Sequence, residues 1–158
     1  MDSRISRKLN KLKEEKRKAL ITYISAGDPS LDKTMELVLT MEKAGADIME
    51  LGIPYSDPLA DGPVIQRASI RALSKGINID YIFSMVLNLR CKTEIPLVFL
   101  IYYNTIFSYG IEEFLNRCKE CGIDGLIIPD LPLEERKILN EMMKDYPIDL
   151  IALVAPTS

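Results

Sequence analysis

Two carboxylates in the first half of the chain carry its densest chemical signal. Glu50 lies within an apolar run from Ile48 to Leu51, where an acidic side chain is costly unless it is hydrogen-bonded or faces a cavity. Asp61 follows beyond a loop rich in Pro, Gly and Asp. Two carboxylates that share a pocket but differ in environment can divide the roles of general acid and general base. The alternative is that Glu50 is structural or solvated. Asp57 and Asp61, which lie between prolines in the loop, favour the functional interpretation.

The composition excludes several other chemistries. The chain contains no His, which rules out His-based triads and His-containing metal sites. Cys118 and Cys121 have the spacing of a CxxC motif, but they precede Gly122 at a predicted helix C-terminus. A redox CxxC belongs at a helix N-terminus, where the dipole lowers the thiol pKa. We therefore interpret both as ordinary helix cysteines and expect no metal site.

Charge and hydropathy narrow the class of protein further. The 158 residues include 20 Lys and Arg against 23 Asp and Glu, and a net charge of −3 disfavours nucleic-acid binding. The longest apolar run, Ile95 to Tyr103, is far shorter than the ~20 residues that cross a bilayer. Three cysteines, an odd number, fit a reducing compartment. We expect one domain over 1–158 without a linker, located in the cytoplasm, with neither a nucleic-acid nor a membrane partner.

Strand-like and helix-like segments alternate along the chain. A helix end, a glycine and an aspartate recur before two of the strands, as AGAD at 44–47 and CGID at 121–124. Repeated units of this kind indicate an α/β fold with a parallel sheet, whose sites lie at the carboxyl ends of the strands, where Glu50 is found. Asp28 resembles an N-cap followed by Pro29 in the first helical turn. The patterns predict strands at 19–25, 47–51, 97–102, 125–128 and 150–154, and helices at 31–44, 64–74, 79–90, 111–121 and from Pro132.

The stretch 49–62, MELGIPYSDPLADG, resembles the signature of the tryptophan synthase alpha subunit family. Four shorter segments resemble the same family and occur in its order, and with them the likeness runs through almost the whole chain. They are 22–29 (TYISAGDP), 44–47 (AGAD), 101–104 (IYYN) with Phe107 and Gly110, and 129–132 (PDLP).

The resemblance implies a (β/α)8 TIM barrel that cleaves indole-3-glycerol phosphate to indole and glyceraldehyde 3-phosphate by a retro-aldol reaction, without a cofactor. It makes Glu50 the main acid and base and Asp61 the partner of the indole N–H. It implies a partner, the beta subunit of an α2β2 complex. Tyr23, Leu100 and Tyr102 would line the slot for the ring. Core packing is the alternative for all three, and it is the favoured interpretation for Leu100. The surface facing the beta subunit would comprise Pro54, Asp57, Asn104, Phe107, Asp130 and Pro132.

The length predicts only part of such a barrel. A complete one takes about 250 residues, so this chain supplies about five βα units plus an N-terminal helix. The phosphate-binding residues would lie beyond Ser158. The outer edges of strands 19–25 and 150–154 would then be unpaired, so we expect the chain to belong to a longer protein or to associate through those edges. Residues 3–18 are predicted to form a basic, solvated helix that covers one end of the barrel, rather than one that binds membranes or nucleic acid.

Two alternatives stay open beside the lyase. The first is an alpha chain that keeps the surface for the beta subunit but does not turn over substrate. The second is a different phosphate-handling barrel lyase, which the specificity of the 49–62 segment disfavours.

Overall fold

A computed structural model describes residues 3–154 and residue 156 of the chain. Strands and helices alternate as predicted. The strands are β1 (Ile21–Ser25), β2 (Ile48–Gly52), β3 (Leu97–Leu100), β4 (Gly125–Ile127) and β5 (Asp149–Ile151). The helices are α1 (Arg4–Glu14), α2 (Leu31–Lys43), α3 (Pro63–Leu73), α4 (Ile79–Arg90), α5 (Tyr103–Tyr109), α6 (Ile111–Cys121) and α7 (Leu133–Met143).

All strand pairs are parallel, and the strands lie in chain order from β1 to β5. A doubly wound sheet would reverse its strand order at a switch point, whereas a sheet that adds each new strand on the same side is typical of a barrel. Helices follow each of the first four strands, as the crossover between parallel strands requires. The predicted parallel α/β architecture is therefore confirmed.

The two faces of the sheet differ in what covers them. Because side chains alternate along a strand, Leu51, Phe99 and Leu126 share one face and pack into the main core against the helices. The opposite face, here called the inner face, carries Glu50 and Val98 in one row of the register. A smaller apolar cluster lies on this face. It consists of Val98 from that row, Ile48 and Ile127 from the neighbouring rows, and Ile5 of α1.

Helix α1 lies at the amino end of the sheet and is shorter than predicted, because it ends at Glu14 rather than near residue 18. Ser3 caps it by accepting a hydrogen bond from the main-chain N–H of Ser6. Ile5 and Leu12 are buried, whereas Leu9 is 43% exposed. The helix thus covers one end of the sheet through its apolar face, as the sequence pattern predicts.

The repeated aspartates do the same work in both copies of the repeat. Asp47 precedes β2 and accepts a hydrogen bond from the main-chain N–H of Leu20, while Arg17 pairs with its carboxylate at 2.6 Å. Asp124 precedes β4 and accepts from the N–H of Leu97 at 2.8 Å. Asp47 therefore connects the start of β2 to the start of β1, and Asp124 connects the start of β4 to the start of β3.

The prediction that Asp28 caps α2 was wrong. Ser30 accepts the hydrogen bond from the N–H of Lys33, and the helix begins only at Leu31. Asp28 instead forms a bidentate ion pair with Arg71 of α3, so its charge is paired with a cation and not with the N-terminus of α2.

Helix α5 was not predicted at all. Its seven residues follow directly on β3, and the aromatic and apolar side chains there read as a continuation of the strand. Tyr102, its N-cap residue, makes no side-chain capping bond of its own. The acceptor for the N–H of Tyr103 is the carboxylate of Asp130, at 2.8 Å. The start of α5 thus depends on a residue from the loop after β4, which no local pattern could reveal.

The CxxC cysteines belong to the main core. Cys118 and Cys121 are buried and unbonded to each other, and burial raises the pKa of both thiols. A thiol that resists ionisation is a poor nucleophile and a poor metal ligand, so packing is the role that the surroundings support. No helix in the part of the chain that the structure describes is both long enough and apolar enough to cross a membrane.

Replacing Asp124 by Ala should destabilise the fold severely. The carboxylate is buried and pairs with Arg90 at 2.6 Å and with Arg4 at 3.0 Å. Its removal leaves the buried guanidinium of Arg90 uncompensated, a change that costs about 3–5 kcal/mol. Urea denaturation measures the loss. Glu141→Ala, which breaks only an exposed pair with Lys144, should leave the free energy of unfolding nearly unchanged. Equal losses in the two variants would show that Asp124 does not hold the fold together in this way.

Candidate functional site

Glu50 extends from β2 onto the inner face. The register sets Tyr23 of β1 on one side of it and Val98 of β3 on the other. No donor among residues 3–154 is within hydrogen-bonding distance of its carboxylate, and the side chain is half-buried. Burial therefore raises the pKa of Glu50 without an opposing cation. A carboxyl that is easily protonated yet still reached by solvent is suited to both donate and accept a proton.

An apolar cavity of about 190 Å³ lies against Glu50. Among the described residues, Glu50 is the charged member of its lining. The other lining side chains are aliphatic and come from α1 and from all five strands: Ile5, Leu9, Ile21, Ile48, Val98, Ile127 and Ile151. The lining supplies no compensating charge, which explains why burial alone shifts the pKa of the carboxyl.

Tyr23 lies over Gly52 at the carboxyl end of the sheet. A Cβ at position 52 would stand 2.1 Å from the Tyr23 hydroxyl oxygen, so only glycine leaves room for the ring. The hydroxyl is 3.3 Å from the Oγ of Ser25. Burial raises the pKa of Tyr23, and the charges of Asp61 and Glu50 add to the shift. The hydroxyl thus lies within electrostatic range of both predicted acids.

Asp61 ends the loop between β2 and α3. Its main-chain carbonyl accepts a hydrogen bond from the Gln66 side chain at 2.8 Å, and the N–H of the preceding Ala60 donates to the Tyr102 hydroxyl at 3.0 Å. Burial raises the pKa of Tyr102, and the neighbouring Asp61 carboxylate adds to the shift. The loop therefore returns across the carboxyl end of the sheet, which brings Asp61 within electrostatic range of Tyr23, the strand neighbour of Glu50.

Leu100 and Tyr102 complete the predicted site differently. Leu100 is half-buried on the inner face, opposite Gly52 in the register, where it can contact a ring. Tyr102 is only 2% exposed, and its ring stacks on Tyr55 with centroids 4.9 Å apart. Its hydroxyl is already engaged with the Asp61 loop, so Tyr102 holds protein structure in addition to lining the site.

The residues predicted to face a partner lie at the same end of the sheet. Asp57 and Pro132 are exposed, Phe107 is 65% exposed, and Pro54 is partly exposed. Asn104 and Asp130 have internal roles as well: the Asn104 amide donates to the Tyr55 hydroxyl at 3.2 Å, and Asp130 accepts from the start of α5. These last two therefore connect the surface to the site instead of simply presenting a side chain.

Tyr55 is the residue that sequence reasoning missed. It lies inside the 49–62 signature, but its partners Tyr102 and Asn104 are more than forty positions away. The only sequence signal was an aromatic side chain in a loop otherwise made of turn-forming residues.

Larger clefts lie at the opposite, amino end of the sheet. One of about 460 Å³ is lined by basic residues of α1 together with Glu42 and Glu94. Its charges are already satisfied within the chain, because Arg4 pairs with Glu94 at 2.7 Å and with Asp124, and Lys8 pairs with Asp47. We therefore assign the candidate site to the carboxyl side of Glu50, whose carboxylate has no such partner among the described residues.

The fold and the site together define a single-wound parallel α/β barrel protein with an acid pair at the carboxyl ends of its strands. Comparison with known proteins identifies which one. The family model described as "Tryptophan synthase alpha chain" matches residues 9–158, so the chain belongs to the tryptophan synthase alpha chain family.

Individual relatives agree with the family assignment. The tryptophan synthase alpha chain of Alkaliphilus metalliredigens is 71% identical over 158 residues, which cover 100% of this chain and 59% of that relative. The alpha chain of Caldanaerobacter subterraneus subsp. tengcongensis is 60% identical over 156 residues, covering 99% and 60%. The chain thus spans about 60% of the length of the curated relatives it matches.

Solved structures agree on the fold. The tryptophan synthase subunit alpha from Legionella pneumophila str. Paris matches with a TM-score of 0.95 and 42% identity, over 98% of this chain and 60% of that one. A chain in the tryptophan synthase a2b2 complex from Pyrococcus furiosus matches with a TM-score of 0.83 and 38% identity, over 87% and 58%. The predicted partial TIM barrel is thereby confirmed.

Glu50→Gln should stabilise the protein in a pH-dependent way. The folded state holds the Glu50 proton more tightly than the unfolded chain does, so ionisation destabilises the fold as the pH rises through the raised pKa. The variant should therefore unfold at higher urea concentration than the parent protein at pH 7. The difference should fade below about pH 4.3, the ordinary glutamate pKa, where both states are protonated. Glu14→Gln, an exposed control, should show no such trend, and a pH-independent gain at position 50 would contradict the assignment.

Gly52→Ala should displace the Tyr23 ring. The added methyl group overlaps the ring, and overpacking of this kind costs about 1–3 kcal/mol. A double-mutant cycle with Tyr23→Ala measures the effect by urea denaturation. The double variant should be less destabilised than the sum of the two single variants, because removal of the ring relieves the overlap. Additive losses would show that the methyl group is accommodated elsewhere.

Proposed function

We propose that this chain carries the acid–base pair of a tryptophan synthase alpha subunit and acts in the retro-aldol cleavage of indole-3-glycerol phosphate to indole and glyceraldehyde 3-phosphate. The observation that carries the proposal is the half-buried Glu50 carboxyl, which meets no cation or donor among the described residues and has a raised pKa. Family membership supports the same reaction. The free cysteines fit a cytoplasmic location.

The reaction needs one proton delivered and one removed at neighbouring atoms. Protonation of indole C3, with loss of the N–H proton, gives the indolenine. The hydroxyl on the carbon attached to C3 then loses its proton, and the C–C bond breaks. The bond electrons return to the ring, N1 regains a proton and the side chain leaves as an aldehyde. Glu50 performs the transfers at C3 and at the hydroxyl, because burial raises its pKa and so eases its protonation.

Asp61 acts at the other side of the ring. An ionised carboxylate there accepts the indole N–H and favours the indolenine tautomer, which it stabilises as positive charge develops on the ring. Tyr23 and Leu100 offer an aromatic and an aliphatic wall between the two acids, which suits a flat apolar ring. No cofactor or metal enters this mechanism.

The same end of the sheet supports binding of a beta subunit in an α2β2 complex. Phe107 and Leu59 are 65% and 89% exposed there, and exposed apolar side chains around a site favour a protein partner. The Pyrococcus furiosus structure described above is an a2b2 complex, which supports this partner by likeness. Pro54, Asp57, Asn104, Asp130 and Pro132 would complete the contact surface.

Glu50→Gln should abolish turnover, lowering kcat for indole release by about 10²–10⁴-fold, because the amide keeps the shape but cannot exchange a proton. Asp61→Asn should lower kcat less and leave substrate binding in place, since the amide oxygen still accepts the indole N–H. The assay follows indole released from indole-3-glycerol phosphate by the full chain, alone and with a beta subunit. Glu14→Gln serves as the surface control.

The double variant at positions 50 and 61 should be scarcely slower than Glu50→Gln, because both residues act on one transition state. Indole release at the parent rate by Glu50→Gln would overturn the proposal. A parent chain that binds the beta subunit but releases no indole would favour the binding-only alternative.

A further inference from the structure

The loop from residue 54 to residue 61 is not held in place by burial. Ser56, Asp57, Leu59 and Ala60 are exposed, and Leu59 is 89% exposed. The loop contains no helix or strand, so it lacks a ladder of main-chain hydrogen bonds. Yet it ends on Asp61, whose carboxylate must keep a fixed position if it is to meet a substrate atom. Something other than the core must therefore fix the loop.

Three contacts converge on this loop from the turn between β3 and α5. The ring of Tyr55 stacks on the buried ring of Tyr102 at 4.9 Å and an interplanar angle of 23°. The Asn104 amide donates to the Tyr55 hydroxyl at 3.2 Å. The Tyr102 hydroxyl accepts from the N–H of Ala60, the residue before Asp61, at 3.0 Å. Tyr55 and Ala60 thus attach the two halves of the loop to one anchor.

We propose that Tyr55 is a positioning residue for Asp61. Its ring covers the face of Tyr102, so Tyr102 can direct its hydroxyl to the Ala60 N–H, and the loop arrives at the site with Asp61 in one place. The inference rests on the proposed function for the catalytic use of Asp61, but not for the contacts themselves. It assigns to Tyr55 a role in holding a catalytic carboxylate, acting through Tyr102 and the main chain.

The anchor itself is fixed from below. Tyr102 follows β3 and is 2% exposed, and the N–H of Tyr103 donates to Asp130 at 2.8 Å. On the far side, Gln66 of α3 donates to the Asp61 carbonyl. The peptide groups before Ala60 and after Asp61 are therefore both hydrogen-bonded, and Tyr55 is the contact that holds the tip of the loop against Tyr102.

Amide hydrogen exchange of the full chain tests the tie without substrate. In Tyr55→Ala the Ala60 N–H should exchange about threefold to tenfold faster than in the parent protein, the factor that loss of one aromatic stack corresponds to. Tyr55→Phe keeps the ring and should restore near-parent exchange. Tyr81→Ala removes an exposed tyrosine from α4 and is the matched control.

Kinetics separate positioning from general stability. Tyr55→Ala should lower kcat for indole release by about threefold to tenfold with a small change in KM. The same substitution added to Asp61→Ala should have no further effect, because no side chain remains at position 61 to be positioned. A merely structural role would instead lower the activity of both backgrounds equally.

The outcomes distinguish the two proposals. Unchanged Ala60 exchange in Tyr55→Ala would overturn the positioning role, whatever the enzyme does. An equal loss of kcat in the parent and Asp61→Ala backgrounds would overturn it as well. Failure of the lyase proposal would show separately, as indole release that is indifferent to Glu50→Gln while the exchange effect at Ala60 persists.

Discussion

The carboxylate of Asp124 makes the contact on which the rest of the sheet depends. It accepts hydrogen bonds from Arg90 at the end of α4, from the N–H of Leu97 at the start of β3, and from Arg4 of α1. Its own main-chain groups bond to Leu97 and Asp149, which begin β3 and β5. One buried residue thus joins two helices and three strands at the amino end of the sheet, and it sets the height at which each strand begins.

Such a buried ion pair is costly to desolvate, and only full satisfaction of its lone pairs makes it tolerable. Burial lowers the pKa of Arg90, so the guanidinium depends on the carboxylate and on the carbonyls of Gly122 and Ile95 that it also contacts. Because every partner is fixed, the strands start in one register. A register shift of one residue would turn Glu50 from the inner face into the helix-facing core.

The opposite end of the sheet follows a different rule. Glu50 carries no partner among the described residues, and its environment opposes ionisation. A carboxyl in such an environment is typical of sites where a proton is exchanged, which agrees with the role proposed for Glu50. The amino end of the sheet thus carries paired charges, whereas Glu50 has no ion-pair partner among the described residues.

The sequence predicts the parts of this arrangement that local physics decides. The five strands, six of the helices and the place of Glu50 follow from apolar runs, capping glycines and the rule that sites lie at strand ends. Asp28 was misjudged because its partner, Arg71, lies 43 positions away. Helix α5 was missed because its first N–H is satisfied from across the sheet by Asp130. Tertiary partners decided both cases.

The two predicted acids differ in the same respect. The strand determines where Glu50 points, so pattern alone locates it on the inner face. Asp61 lies in an exposed loop, eleven positions after Glu50, so the sequence pattern alone does not determine its place. The stack of Tyr55 on Tyr102 and the hydrogen bond from the Ala60 N–H to the Tyr102 hydroxyl determine its position. Ala60 and Tyr102 are 42 positions apart in the sequence. A site that draws one acid from a strand and the other from a loop thus needs an anchor for the loop, and the turn after β3 is where the neighbouring strand can supply it.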